Sequence, residues 1–171
     1  MSALIYHMVP DNMQGEILYP LNVLRQIHPE GYAFHAAKYK GREWLPKTTI
    51  PIFDCFWNDV LFCTPVHPGK VYSKLREVGY KYPLERFYEI PFNCLEPERC
   101  AVMEYANGGK DKVFNKVISS DLSAFDKLPE ETMQYYVECY SKGTHPMLFA
   151  WVPHIIYKGS IDINKLNIIE V

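Results

Sequence analysis

The chain has 171 residues, 48% of them apolar and 15% aromatic, with 13 tyrosines and 9 phenylalanines; that much apolar surface excludes a disordered chain and predicts one packed domain over residues 1–171. Eighteen basic and twenty acidic residues leave a net charge near −2 without a basic block, which excludes the broad electrostatic footprint of tight non-specific nucleic-acid binding. No run reaches the roughly 18 to 20 apolar residues that span a bilayer, the richest, residues 50–63, being broken by Asp54, Asn58 and Asp59. Five cysteines, odd in number and without a Cys-x-x-Cys pair, follow a start that holds no apolar signal core; a reducing cytoplasm is the expected location, with no membrane as partner.

Residues 3–8 (ALIYHM) read as a first strand ended by the turn chemistry of Pro10, Asp11 and Asn12. Leu18, Leu21, Leu24 and Ile27 recur at three-residue spacing and predict a short amphipathic helix that stops at His28-Pro29. Pro29 then opens a second helix through Tyr39, with Gly41 as its stop. The aromatic and β-branched residues of 50–64 favour one or two buried strands, with Pro51 at a strand start or edge and Asn58-Asp59 as a break. Val71, Leu75 and Val78 share one face of a helix over residues 68–78 that Gly79 ends.

Strands are expected at residues 86–90 and 100–105, the latter turning through Asn107-Gly108-Gly109 into a hairpin partner at 113–119. The strongest helix signal covers residues 128–142, with Pro129 and two glutamates in its first turn, Met133, Tyr136, Val137 and Tyr140 on one face, and Gly143 as stop. Strands at 147–151, 154–158 and 166–171 complete the chain. The fold class is α+β, with largely antiparallel sheets and several short helices. Two basic groups, Lys38, Lys40 and Arg42, and Lys110, Lys112 and Lys116, read as solvated faces.

The common signatures are absent: no Gly-x-x-x-x-Gly-Lys, no Gly-x-Gly-x-x-Gly, no Gly-x-Ser-x-Gly and no His-Glu-x-x-His. Hydride transfer is therefore disfavoured. The six histidines show no close ligand spacing, so no metal site is expected. Cys63 with His67 as nucleophile and base competes with the commoner case of an inert core cysteine.

Three features carry the functional reading. His7 ends an apolar strand, which places an imidazole at a sheet rim. Leu61-Phe62-Cys63-Thr64-Pro65 is a buried strand ending in a hydroxyl residue. Val152-Pro153-His154-Ile155-Ile156-Tyr157 is a late strand, followed by Gly159-Ser160-Ile161. In this order they resemble the layout of the ADP-ribosyltransferase superfamily, small bacterial members in particular. The resemblance spans about a third of the chain and implies an NAD-consuming transferase, a bacterial toxin or effector acting on a protein or nucleic acid, in its own or a host's cytoplasm. His7 would then hold the nicotinamide-side ribose, and Phe62 or Thr64 would form the nicotinamide pocket. His154 stands in the neighbourhood where the family places its catalytic glutamate. That is a departure, because a neutral histidine supplies no negative charge to the oxocarbenium-like sugar formed as nicotinamide leaves.

Tyr39, Arg42 and Glu43 beside a helix end suit an anion such as a cofactor phosphate, or a surface salt bridge. Asp59 is read as part of a turn with an Asx-type hydrogen bond. Two other readings compete with the transferase. One is a non-catalytic interaction domain with an aromatic surface. The other is a hydrolase or nuclease that brings Asp59, His67 and His145 together.

Overall fold

The computed structural model describes residues 3–171 and shows an α+β fold in which every strand pairing is antiparallel. In chain order the elements are β1 (Leu4–Met8), β2 (Ile17–Leu18), α1 (Leu21–Ile27), α2 (Pro29–Ala36), β3 (Thr49–Ile50), β4 (Cys55–Phe56), β5 (Leu61–Cys63), α3 (Pro68–Val78), β6 (Arg86–Pro91), β7 (Cys100–Ala106), β8 (Asp111–Lys116), α4 (Glu130–Ser141), β9 (His154–Tyr157), β10 (Ile161–Asp162) and β11 (Asn167–Glu170). Among the described residues no helix is long and apolar enough to cross a membrane.

Two sheets organise the chain. One has the order β1-β6-β11 and the other β5-β9-β7-β8. They meet at a single residue pair, Tyr6 with Thr64, whose backbones exchange two N–H···O=C bonds of 2.8 Å. Alternation along the strands then sorts side chains into layers. Ile5, Tyr88 and Ile90 of the first sheet share a core with Leu61, Cys63, Val102, Ile155 and Tyr157 of the second. On the outer face of the first sheet Tyr6 and Phe87 pack with Val71, Tyr72 and Leu75 of α3 and Tyr136 of α4. On the outer face of the second, Phe62, Ala101, Met103 and Ile156 pack with Tyr39, Ile50 and Trp57.

The expected helices form, α3 and α4 with their proline starts and glycine stops, but some boundaries move, and α2 ends at Ala36 and passes into a 3₁₀ turn over Ala37–Tyr39 short of Gly41. Leu18 belongs to β2, and α1 begins only after Pro20, whose fixed φ suits the residue before a helix. The segment 50–64 gives three short strands separated by 3₁₀ turns at Pro51–Phe53 and Trp57–Asp59. The hairpin partner of β7 runs Asp111–Lys116, and Ser119 starts a 3₁₀ turn instead of ending a strand.

One expected strand is absent. Residues 147–151 form turns, with Trp151 at φ +59°. The cause lies in α4, which takes the carbonyls a neighbouring strand would have used: the Thr132 hydroxyl donates to Ala150 O at 2.7 Å and the Tyr136 hydroxyl donates to Leu148 O. Tyr135 adds a third tie, its hydroxyl oxygen accepting the Met147 N–H.

The end of α3 shows why its stop must be glycine. Gly79 has φ +119° and donates to the Leu75 and Arg76 carbonyls, while Tyr80 N–H returns to Leu75 O at 3.0 Å. A Cβ at this position would lie 2.7 Å from the Tyr140 ring. Gly79→Ala is therefore expected to cost about 1–3 kcal/mol, read as a lower urea midpoint with an unchanged slope; a midpoint equal to the parent's would contradict the strain argument.

Candidate functional site

Beyond the Tyr6–Thr64 bridge, β1 and β5 part. The alternation of an antiparallel ladder turns the backbone groups of Met8 and Phe62 toward the gap, but pairing between the strands does not continue there. The fork opens into a cavity of about 420 Å³, within the size range of small-molecule sites. One wall is residues 7–14, leaving β1. A second is Asn58 with residues 60–62, entering β5. The third comes from α1, α2 and the turn after α2, through Leu21, Leu24, His35, Lys38 and Tyr39.

His7 follows Ile5 by two residues, so it points to the same side of β1 as the inter-sheet core and stands where that core gives way to the cavity. Its Nδ1 lies 2.6 Å from the Met8 carbonyl oxygen. A carbonyl only accepts, so Nδ1 carries the proton and Nε2 is left as an acceptor. The contact also satisfies a carbonyl that no strand pairs. Burial is the main influence holding His7 down at about 4; the Met8 hydrogen bond opposes it and the Lys38 and His35 charges add to it. The ring is neutral at pH 7.

Phe62 is fixed from behind by Trp57, with ring centroids 4.3 Å apart. Lys38 places its ammonium 5.2 Å from the centre of the Tyr39 ring and, among the described residues, makes no ion pair. His35 beside it is held below its ordinary range, first by burial and then by Lys38, with Asp11 opposing. The cavity thus has a cationic edge at Lys38, two carboxylates in its wall at Asp11 and Glu85, and aromatic surface from Tyr39 and Phe62.

Of the residues nominated from sequence, the cavity brings together His7, Phe62 and Tyr39. Thr64 does not line it. The Thr64 side chain is 4% exposed and closes a turn, its hydroxyl accepting the Val66 N–H at 3.1 Å and donating to Val66 O at 3.3 Å. His154 also lies outside the lining. It sits one strand further on, in β9, between the edges of Phe62 and Tyr105 at centroid distances of 6.2 Å. Burial, only partly offset by the Val152 backbone, holds it at about 4, and its Nδ1 is enclosed without a well-formed hydrogen bond. Arg42 is exposed and spends its guanidinium on the Lys38 carbonyl at 2.9 Å; Glu43 accepts the Gly41 N–H instead of pairing with it.

The residues of the hydrolase reading occupy three separate neighbourhoods. Asp59 accepts the Phe56 N–H and the Asn22 amide, both at 2.7 Å, which is the turn role read from sequence. His67 accepts the Gly69 N–H at the start of α3, and His145 packs near Tyr80 and Tyr82. Among the described residues no group of three or more His, Cys, Asp or Glu is placed to hold a metal ion. Cys63 is 1% exposed, and burial pushes its thiol well above the ordinary range, away from the thiolate a nucleophile needs.

Sequence reasoning did not place Asp11, His35, Lys38 or Asn58 in the site. Lys38 stands out in a basic group and Asn58 as an interruption of an apolar run, but only the fold sets them around one cavity. Family models, curated proteins and solved structures offer no match to this chain.

The two low histidines set an acid limit on stability. Each is neutral in the fold down to about pH 4, whereas an unfolded histidine takes up its proton near 6.5. Between those values the unfolded state binds more protons, so stability is full above about 6.5 and falls as pH drops toward 4, by at most about 1.4 kcal/mol per pH unit for each ring. Melting temperature measured from pH 7.5 to 4 is expected to fall over this window, and to fall less steeply in His7→Asn and His154→Asn; equal slopes in parent and variants would refute the assignment.

Proposed function

We propose that this chain is an NAD-binding protein of ADP-ribosyltransferase type whose site is the cavity in the β1–β5 fork. One observation carries the reading: His7 on β1, Phe62 on β5 with Thr64 directly after it, and His154 on β9, nominated separately from sequence, stand on neighbouring strands, β1 joined to Thr64 by one bridge and β5 paired with β9. β1 and β5 open between them a cavity lined by His7 and Phe62.

In this reading His7 Nε2 accepts the hydrogen of a ribose hydroxyl and fixes the sugar, while Phe62, backed by Trp57, supplies a flat wall for a ring. Lys38 sits at the cavity edge as a counter-charge for phosphate. When the bond between sugar and nicotinamide breaks, its electron pair goes to the ring nitrogen and cancels the charge there. The sugar carbon then bonds to an acceptor oxygen or nitrogen, which gives up a proton. Positive charge gathers on the sugar in between and calls for a nearby anion. Neutral His154, outside the cavity, does not meet that need; Asp11 and Glu85 are the carboxylates available in the lining to meet it.

The test is the melting temperature with and without millimolar NAD, in the parent and in His7→Ala. Ligand at a hundred times its dissociation constant stabilises by about 2.7 kcal/mol, a rise of roughly 5 to 10 °C for a domain of this size. The rise is expected in the parent and is expected to be lost in the variant. No rise in either protein would sink the reading in favour of the interaction domain, for which the exposed Phe34, Trp44 and Phe56 are the available surface.

A further inference from the structure

The basic side chains on one side of the cavity form a cluster that the fold leaves without a matching set of anions. Besides burial, the Lys38 charge holds down both histidines of the lining, His7 on β1 and His35 on α2, and His35 adds to the effect on His7. Arg42 stands next to Lys38, its guanidinium bound to the Lys38 carbonyl. Among the described residues neither Lys38 nor Arg42 makes an ion pair, and Glu43, the carboxylate that follows them in the chain, accepts the Gly41 N–H. Asp11, in the segment after β1, is the carboxylate that opposes the effect on His35, and Glu85 is the other one in the lining. Cations and imidazoles from β1, α2 and the turn after α2 are thus held together with little to separate their charges. Such crowding raises the energy of the empty site, and an anion that enters relieves it.

We propose that the Lys38 side of the cavity is a proton-linked anion site, in which the pyrophosphate of a nucleotide sits between Lys38 and His35 and a proton from solvent binds the His35 ring. In the empty site His35 is held below its ordinary range, first by burial and then by Lys38, so the ring is neutral at pH 7. An anion beside it favours the charged form, and the imidazolium then donates to a phosphate oxygen as a charge-assisted bond. His7 is the poorer proton acceptor of the two, because its Nδ1 is already committed to the Met8 carbonyl and burial holds it at about 4. The occupied protein therefore binds more protons than the empty one, and affinity rises as pH falls from the value of His35 in the complex toward its lower value in the empty site. The choice of pyrophosphate rests on the nucleotide reading above, whereas the site itself asks for an oxyanion with two negative charges.

Calorimetric titration of the parent with NAD, ADP-ribose and sulfate at about pH 6 and pH 8, each in two buffers of different ionisation heat, tests it. These ligands keep their charge over that range, so a proton taken up belongs to the protein. Affinity is expected to be about 3- to 10-fold higher at the lower pH, with uptake of up to about one proton per ligand. Adenosine, which lacks the anion, is expected to show neither effect, a comparison within the parent that does not depend on how any variant folds. His35→Gln is expected to bind ADP-ribose equally at both pH values without proton uptake, and Lys38→Met to bind it about 10-fold or more weakly at both. If NAD and ADP-ribose fail to bind while sulfate binds with proton uptake that His35→Gln removes, the nucleotide reading falls and the anion site stands. If NAD and ADP-ribose bind without proton uptake, or His35→Gln keeps the pH dependence of the parent, the role of His35 is overturned and the nucleotide reading stands. A parent that binds none of the three anions overturns both.

Discussion

The site depends on a pairing that stops. Tyr6 and Thr64 exchange two backbone hydrogen bonds and hold the sheets together at that one pair. A longer ladder would seal the edge of β1 against β5 and leave no fork. The bridge, with the core that Ile5 shares with Leu61 and Cys63, sets the distance between the wall that carries His7 and the wall that carries Phe62. The hydroxyl of Thr64 serves the same junction, because its bonds to Val66 fix the turn by which the chain leaves β5. A residue that looks like a ligand contact in the sequence is therefore the hinge pin of the site.

Opening a sheet edge leaves polar backbone to be satisfied, and the molecule answers locally. Met8 presents a carbonyl to the gap, and the imidazole one residue before it takes that carbonyl. This fixes the ring's proton on Nδ1, burial keeps the ring neutral, and the free lone pair is left on Nε2. Solving the backbone problem thus also chooses the tautomer, and with it the kind of ligand group that the residue accepts. Asn58 receives no such internal answer, its Oδ1 being enclosed with no hydrogen-bond partner, which separates it from Asp59 beside it.

What could be read from the sequence follows from how local its cause is. The helix over Pro68–Val78 has its proline start, its apolar face and its glycine stop within the segment itself, and it forms as expected. His7 at a sheet rim and Phe62 on a buried strand follow from strand alternation, and both reach the cavity. Residues 147–151 have strand composition, but the side chains of Thr132 and Tyr136 claim their carbonyls from a distant helix. Asn58 shows a similar cause: an asparagine in a turn looks like surface until another part of the chain folds over it, whereas Lys38 stays exposed, as a basic cluster suggests, and only the fold sets it at the cavity edge.

The central place of β6 has a consequence for how the molecule reaches this state. β1 and β11, from opposite ends of the described chain, both pair with β6, and β1 must also find Thr64. Pairings so far apart in sequence close large loops before they return any stabilisation, which slows folding relative to a helical protein of this length. Helices α3 and α4, with their local signals, are able to form early, while the fork needs β1 to find Thr64 across the intervening chain. A chain in which β1 had not yet met Thr64 would hold its local helices and lack the fork from which the cavity opens.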